Sequence, residues 1–144
     1  MSGEEMQMGT VTISKLRLRR LLACLLVIAA GLTLRRFGYD IGLSFLIVKY
    51  GGSILWATMV FLIVGCIAGS RRRVALAAAA LLIAVAVEFS RLYEVPWMDA
   101  FRLTLAGKLL LGRVFSLWNI VAYAFGIGLA LIIDAMFLDV DDDQ

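Results

Sequence analysis

Long apolar runs separated by short charged stretches organise this chain. Four runs are long enough to read as lipid-embedded helices. The first covers about 18–34, with a strictly apolar centre at Leu21–Leu32 and basic residues at both ends. That centre is short for a bilayer that needs about 20 residues, but flanking Lys and Arg side chains can snorkel and lengthen it. The second run covers about 52–68 and is opened by the flexible pair Gly51-Gly52. The third covers about 74–89 and includes Ala77–Ala80, a smooth surface for packing. The fourth covers about 117–137, with Ser116 suited to cap its start. Between the first two runs, residues 35–49 are amphipathic and read as an interfacial or partly re-entrant segment. Ser70 and Arg71–Arg73 form so short a loop that the second and third runs make an antiparallel hairpin. In the long connection 90–115, Pro96 fits the first turn of a helix. Trp97, Met98, Phe101 and Leu105 would then share one face, with Asp99 and Arg102 falling away from it. The expected fold is all-α: a polytopic membrane protein with four transmembrane helices and a short interfacial helix. Residues 1–15 read as a mobile polar N-terminal tail, 16–138 as the membrane domain and 139–144 as a solvated acidic tail.

Composition supports lipid as the solvent. The 144 residues are 62% hydrophobic and 17% charged, against roughly 45–50% and about 25% in soluble domains. A soluble chain this short has too little interior to hide that much apolar surface. The length suits one bundle. Histidine is absent, which removes the commonest metal ligand, general base and pH switch. Cys24 and Cys66 both lie inside apolar runs and read as small hydrophobes, not as a disulfide framework.

The basic residues sit beside the apolar runs, so they read as topology signals and not as a nucleic-acid surface. Lys15, Arg17, Arg19, Arg20 and Arg71–Arg73 flank one side. Arg35, Arg36, Lys49, Arg91, Arg102, Lys108 and Arg113 flank the other. The two sets are equal in number. The first is denser and touches the runs, and a tight three-arginine loop is a strong retention signal. The second has acidic neighbours in Glu88, Glu94 and Asp99. The expected topology therefore has both termini in the cytoplasm.

The residues able to carry chemistry gather around the second set. Glu88 ends the third apolar run, where a carboxylate is expensive to bury and faces a partner, a cavity or a ligand. Arg91 is one turn further on. Asn119 and Tyr123 are a turn apart on the fourth run. Arg113 is the first choice as ion-pair partner for Glu88, and Lys49 the second. Three readings stay open. The set could simply hold the bundle together. Arg91, Arg102, Lys108 and Arg113 could contact an anionic headgroup, which guanidinium groups recognise bidentately. Glu88 could act as a general base, although no activated nucleophile, metal motif or phosphate-cradling loop accompanies it. No cofactor is implied. Gly65 and Gly69 form a GxxxG pair, and Ala122, Gly126 and Ala130 form a small-residue stripe; both suit close helix packing.

The order Glu88-Phe89-Ser90, Arg113, Asn119, Tyr123, Gly126 resembles the VanZ-like pattern. So do the strings VKYGGSILWATMVF, EFSRLYEVPWMDAFR and LLLGRVFSLWNIVAYAFG. They are most similar to a small uncharacterised bacterial membrane subfamily within that group. Some of its members carry a ribosome-maturation label that four apolar spans argue against. The resemblance covers about Leu21–Asp134. Glu88, Arg113 and Gly126 match the pattern. Arg91 stands where it has glutamine, Asn119 where it has aspartate, and Tyr123 where it has asparagine. The lost aspartate argues against proton-relay chemistry. The resemblance implies a bacterial inner-membrane protein, linked through the namesake to resistance to glycopeptide antibiotics such as teicoplanin. The expected role is binding or modulating an anionic lipid or lipid-linked envelope component at the outer face. The alternatives are an enzyme acting on a lipid headgroup and a scaffold for a partner membrane protein.

Overall fold

The computed structural model describes residues 3–112 and 114–139. Six helices follow one another: α1 (Gly3–Phe37), α2 (Phe45–Ala68), α3 (Arg73–Ser90), α4 (Pro96–Leu103), α5 (Leu105–Leu110) and α6 (Leu117–Asp139). Among the described residues there is no strand. Three helices are long and apolar enough to cross a membrane by length and composition: α2, α3 and α6. At 1.5 Å per residue, the 24 residues of α2 reach about 36 Å, enough for a hydrocarbon core of about 30 Å. Large apolar side chains cover the outer surface, among them Leu26, Ile67, Leu82 and Phe125. In lipid they need no protein partner.

Several boundaries differ from those read in the sequence. The polar stretch before Lys15 is not an irregular tail, because α1 is helical from Gly3. Glu, Met and Gln there are good helix formers, and no proline interrupts them. Residues 35–49 do not form a separate element. They divide between the end of α1, a turn, and the first turn of α2. Gly42 takes φ 82° in that turn, and the Ser44 hydroxyl caps α2 by accepting from the Ile47 N–H. Gly51 and Gly52 are therefore inside α2 and do not open it. Their role is space: a Cβ would come within 3.0 Å of Leu34 at Gly51 and of Arg35 at Gly52. Residues 140–144 of the acidic tail lie outside the described residues, and Asp139 is the last residue of α6.

Contacts fix the directions. Arg17 meets Ile67, Gly31 meets Leu55, and Arg35 meets Gly52, so α1 runs antiparallel along α2. Thr58 bonds the Gly126 carbonyl at 2.9 Å, and Ser53 bonds Asn119 at 3.4 Å, so α2 and α6 run parallel. Helix α3 lies antiparallel to both and packs on both. The core gathers Phe61, Leu62, Ala80, Ala84, Tyr123, Ile127 and Ala130. Ala122, Gly126 and Ala130 are all buried. A Cβ on Gly126 would fall 2.3 Å from the Ile54 carbonyl oxygen, so α2 and α6 touch through backbone there. The GxxxG pair works differently. Gly65 lies beneath the side chain of Arg20 and Gly69 beneath that of Arg17, and Gly69 ends α2 at φ 58°. These glycines make room for arginines and stop a helix; they do not seat two helices together.

Arg20 closes the end of the bundle formed by the start of α1, the end of α2, the start of α3 and the end of α6. Its guanidinium holds Asp134 bidentately at 2.7 and 2.9 Å. It also donates to the Gly65 and Ser70 carbonyls, each at 2.9 Å. Both side chains are out of contact with solvent, and Arg73 approaches Asp134 at 3.8 Å. The sequence signal for this pair was an aspartate inside the fourth apolar run.

Two stability outcomes follow from these contacts. Gly126→Leu should cost about 1–3 kcal/mol through overpacking, read as a lower Tm in detergent. Asp134→Asn or Arg20→Met alone should cost about 3–5 kcal/mol, because each strands a buried partner. The double variant Arg20→Met with Asp134→Leu should recover much of that loss. An additive double loss would show that the two residues stabilise independently.

Candidate functional site

The spacing in α3 delivers Glu88 to the interior. Leu76, Ala80, Ala84 and Glu88 recur every four residues, and all four are buried. This stripe, and not the run Ala77–Ala80 as a block, forms the packing face. A side chain on it points at the neighbouring helices whether apolar or charged. Glu88 is 0% exposed, and lipid cannot supply donors to a carboxylate.

Protein donors do so instead. Oε1 accepts from the Ser116 backbone N–H at 2.7 Å and from Asn119 Nδ2 at 3.1 Å. Oε2 accepts from the Tyr123 hydroxyl at 2.6 Å and from Arg91 Nη1 at 2.6 Å. Two donors per oxygen fill a carboxylate's capacity of about four lone-pair sites. Ser116 directly precedes α6, and Asn119 and Tyr123 stand one turn apart on it. Glu88 therefore pins the end of α3 to the beginning of α6, where the helix dipole also favours an anion.

Among the described residues the basic partner of Glu88 is Arg91, and not Lys49. Arg113, the first choice from sequence, lies outside the described residues. Arg91 keeps right-handed helical geometry just past the end of α3, so it reaches back one turn. Lys49 instead lies over the rings of Phe45 and Tyr50, at 5.6 and 5.1 Å. Arg91 is fixed further by the carbonyls of Leu111 and Val114. Its guanidinium lies against Gly112, where φ is 66° and a Cβ would come within 2.8 Å of Nη2. That turn needs glycine for its conformation and for the close approach.

Next to this arrangement lies a cavity of about 460 Å³. Arg35, Lys49, Arg91 and Lys108 line it, with Asn119 and Tyr123 also in the wall. Trp56 closes one side against Tyr123, their ring centroids 5.2 Å apart. No described carboxylate lines the cavity; Glu88 sits behind Arg91 and Tyr123. The structure thus brings Lys49, Arg91, Lys108, Asn119 and Tyr123 to one place. It adds Arg35, which the sequence reading used only as a flanking charge. Packing of α1 on Gly52 is what turns Arg35 toward the cavity, and no local pattern encodes that.

Arg102 does not belong to this group. The sequence reading turned it away from the buried face of the interfacial helix and toward a headgroup. It is buried instead, and donates to the Tyr93 carbonyl at 2.9 Å, to the Ser90 carbonyl and to Asp99 at 3.1 Å. Its guanidinium satisfies carbonyls left open at the end of α3 and fastens α4 beneath them. The expected continuous helix is also broken. Thr104 ends α4 and caps α5, so Leu105 opens a new helix. Trp97 is exposed.

Chemically, Glu88 has no free acceptor direction with which to take a proton from a substrate. The cations facing the cavity leave its wall positively charged. Fold and site together define an all-helical membrane protein with a cationic cavity at one end of its bundle. Within that class the chain belongs to the family described as protein of unknown function (DUF2809), which matches residues 43–127. The matched stretch runs from the turn before α2 to the middle of α6, and holds Glu88 with its four donors among the described residues. No solved structure matches the chain.

Glu88→Gln should lower stability by about 3–5 kcal/mol, since it strands Arg91 and sets an amide N–H₂ against donors. Tyr123→Phe, which removes one donor of four, should cost about 1–3 kcal/mol. Thermal unfolding in detergent measures both, and equal effects would show that the carboxylate's charge is not what the site depends on.

Proposed function

We propose that this protein binds the anionic headgroup of a lipid or lipid-linked envelope component in the cavity beside Arg91. The observation that carries this reading is the charge of the cavity wall. Arg91 is neutralised by Glu88, but Arg35, Lys49 and Lys108 have no carboxylate partner among the described residues. Cations gathered around one space repel one another, and an anion relieves that repulsion. The Arg91 guanidinium and the Lys49 ammonium, both in the cavity wall, are donors of the kind that recognise phosphate or carboxylate oxygens. The similarity to the VanZ-like order supports the same assignment, because Asn119 and Tyr123 of that order line the cavity and Glu88 holds both from behind.

The same reading includes four membrane crossings. Helix α1 lies along α2 from Arg17 to Arg35, Arg20 is paired with Asp134, and residues 21–34 between them carry no charge, so this stretch brings no unpaired charge into lipid at depth. The tight Arg71–Arg73 loop supports an orientation with its end of the bundle, and both termini, in the cytoplasm of a bacterial cell. The cavity then faces outward. The filled coordination of Glu88 favours binding over catalysis on a headgroup, and the cavity favours a ligand over a purely scaffolding role.

Two measurements test this. Lys49→Gln with Lys108→Gln should lower the amount of phosphatidylglycerol that co-purifies with the protein, and leave phosphatidylcholine and Tm unchanged. Equal retention of both lipids by wild type and variant would remove the anion-binding reading. In a chain with Cys24 and Cys66 replaced by alanine, Leu105→Cys should react with an impermeant thiol reagent in intact cells and Arg72→Cys should not. The reverse pattern would invert the orientation.

A further inference from the structure

A second, apolar recess adjoins the cationic cavity. It has a volume of about 290 Å³ and lies between α1 and α2, with Val27, Gly31, Leu55 and Met59 in its walls and Ala106 and Leu110 of α5 bordering it. Two residues, Arg35 and Trp56, line both spaces. We propose that one acyl chain of the bound anionic lipid enters this recess while its headgroup occupies the cationic cavity. This rests on the headgroup reading above and adds which part of the ligand is held, and where.

The residues shared by the two spaces have the right chemistry for such a junction. Arg35 lies across Gly52, so its aliphatic stem can border the recess while its guanidinium borders the cavity. Trp56 is apolar over most of its ring, and its indole N–H is buried with no acceptor among the described residues. A glycerolipid carries its ester carbonyls at this same point, between charged headgroup and hydrocarbon. The size of the recess excludes a partner helix, which is about 10 Å across. Gly31 keeps the space open: a Cβ there meets only Leu55, at 3.8 Å. An apolar recess joined to a cationic cavity matches an amphiphile with one negative end, and not a free anion.

The test uses the full chain in vesicles of phosphatidylcholine and phosphatidylglycerol with a trace of phosphatidylglycerol carrying a photoactivatable group in its acyl chain. Labelled positions are mapped by peptide mass spectrometry. Labelling should concentrate on residues 27–32, 55–59 and 106–110. It should fall several-fold in Gly31→Leu, and also in Ala106→Trp, which narrows the recess from the border helix and leaves the core untouched. Neither change alters a cation. Even labelling of outward residues such as Leu26, Leu82 and Leu129, unaffected by either variant, would overturn the inference. Selective retention of phosphatidylglycerol would survive that result, so the headgroup reading would stand. If the recess is labelled equally by a phosphatidylcholine probe, and equally in Lys49→Gln with Lys108→Gln, the cationic cavity does not select the ligand. The headgroup reading and the joined site would then both fail.

Discussion

A carboxylate sealed inside an apolar bundle has to be given donors by the protein, and Glu88 dictates where they come from. Four groups converge on it from α3, from the residue before α6 and from α6 itself. Meeting that demand fixes the angle at which the long connection returns to the bundle. Arg91 is then held between Glu88 and the carbonyls of Leu111 and Val114, which sets the turn at Gly112 and, beyond it, the start of α6. The cationic cavity is a consequence. The connection must stay close to Arg91, and that places Lys108 opposite Lys49 and Arg35.

The opposite end of the bundle solves a similar problem with another pair. Asp134 on α6 is fully enclosed, and Arg20 of α1 spans it and two carbonyls at the junction of α2 and α3. Each long helix is therefore tied near one end or the other by a buried charge-assisted contact. Between the ties the packing is apolar and close, down to backbone contact at Gly126. In lipid, such polar ties and small-residue contacts replace the hydrophobic drive that assembles helices in water. Buried ion pairs are not a strong source of net stability, but they penalise any arrangement that leaves one member alone. That penalty disfavours slipped registers of α3 on α6.

The spans themselves were legible in the residues. The third apolar run and α3 differ by one residue at each end, and the fourth run and α6 begin together, because length and hydropathy are local properties. Glu88 was equally legible as a residue that needs partners, since a carboxylate ending an apolar run is costly wherever the helix goes. Local pattern misplaced what depends on a neighbour. Gly51 and Gly52 suggest flexibility in isolation, yet inside α2 they are seats for Leu34 and Arg35. Arg102 looks polar and outward, yet it lies buried because the carbonyls at the end of α3 need donors.

The residues alone thus determined an all-helical chain, its long apolar helices and a charged region around Glu88, since propensity and hydropathy act over a few residues. Tertiary structure decided which cation pairs with Glu88, that Arg35 joins the cavity, that Arg20 finds Asp134, and that an apolar recess opens beside the charged one. Except for Glu88 and Arg91, which stand three residues apart, these groups are distant along the chain, and they meet only when helices settle at the distances that their glycines and alanines allow. Every basic side chain in the sequence carries the same charge. Which of them is buried, paired or left facing a cavity is set by the packing geometry of the helices that present it.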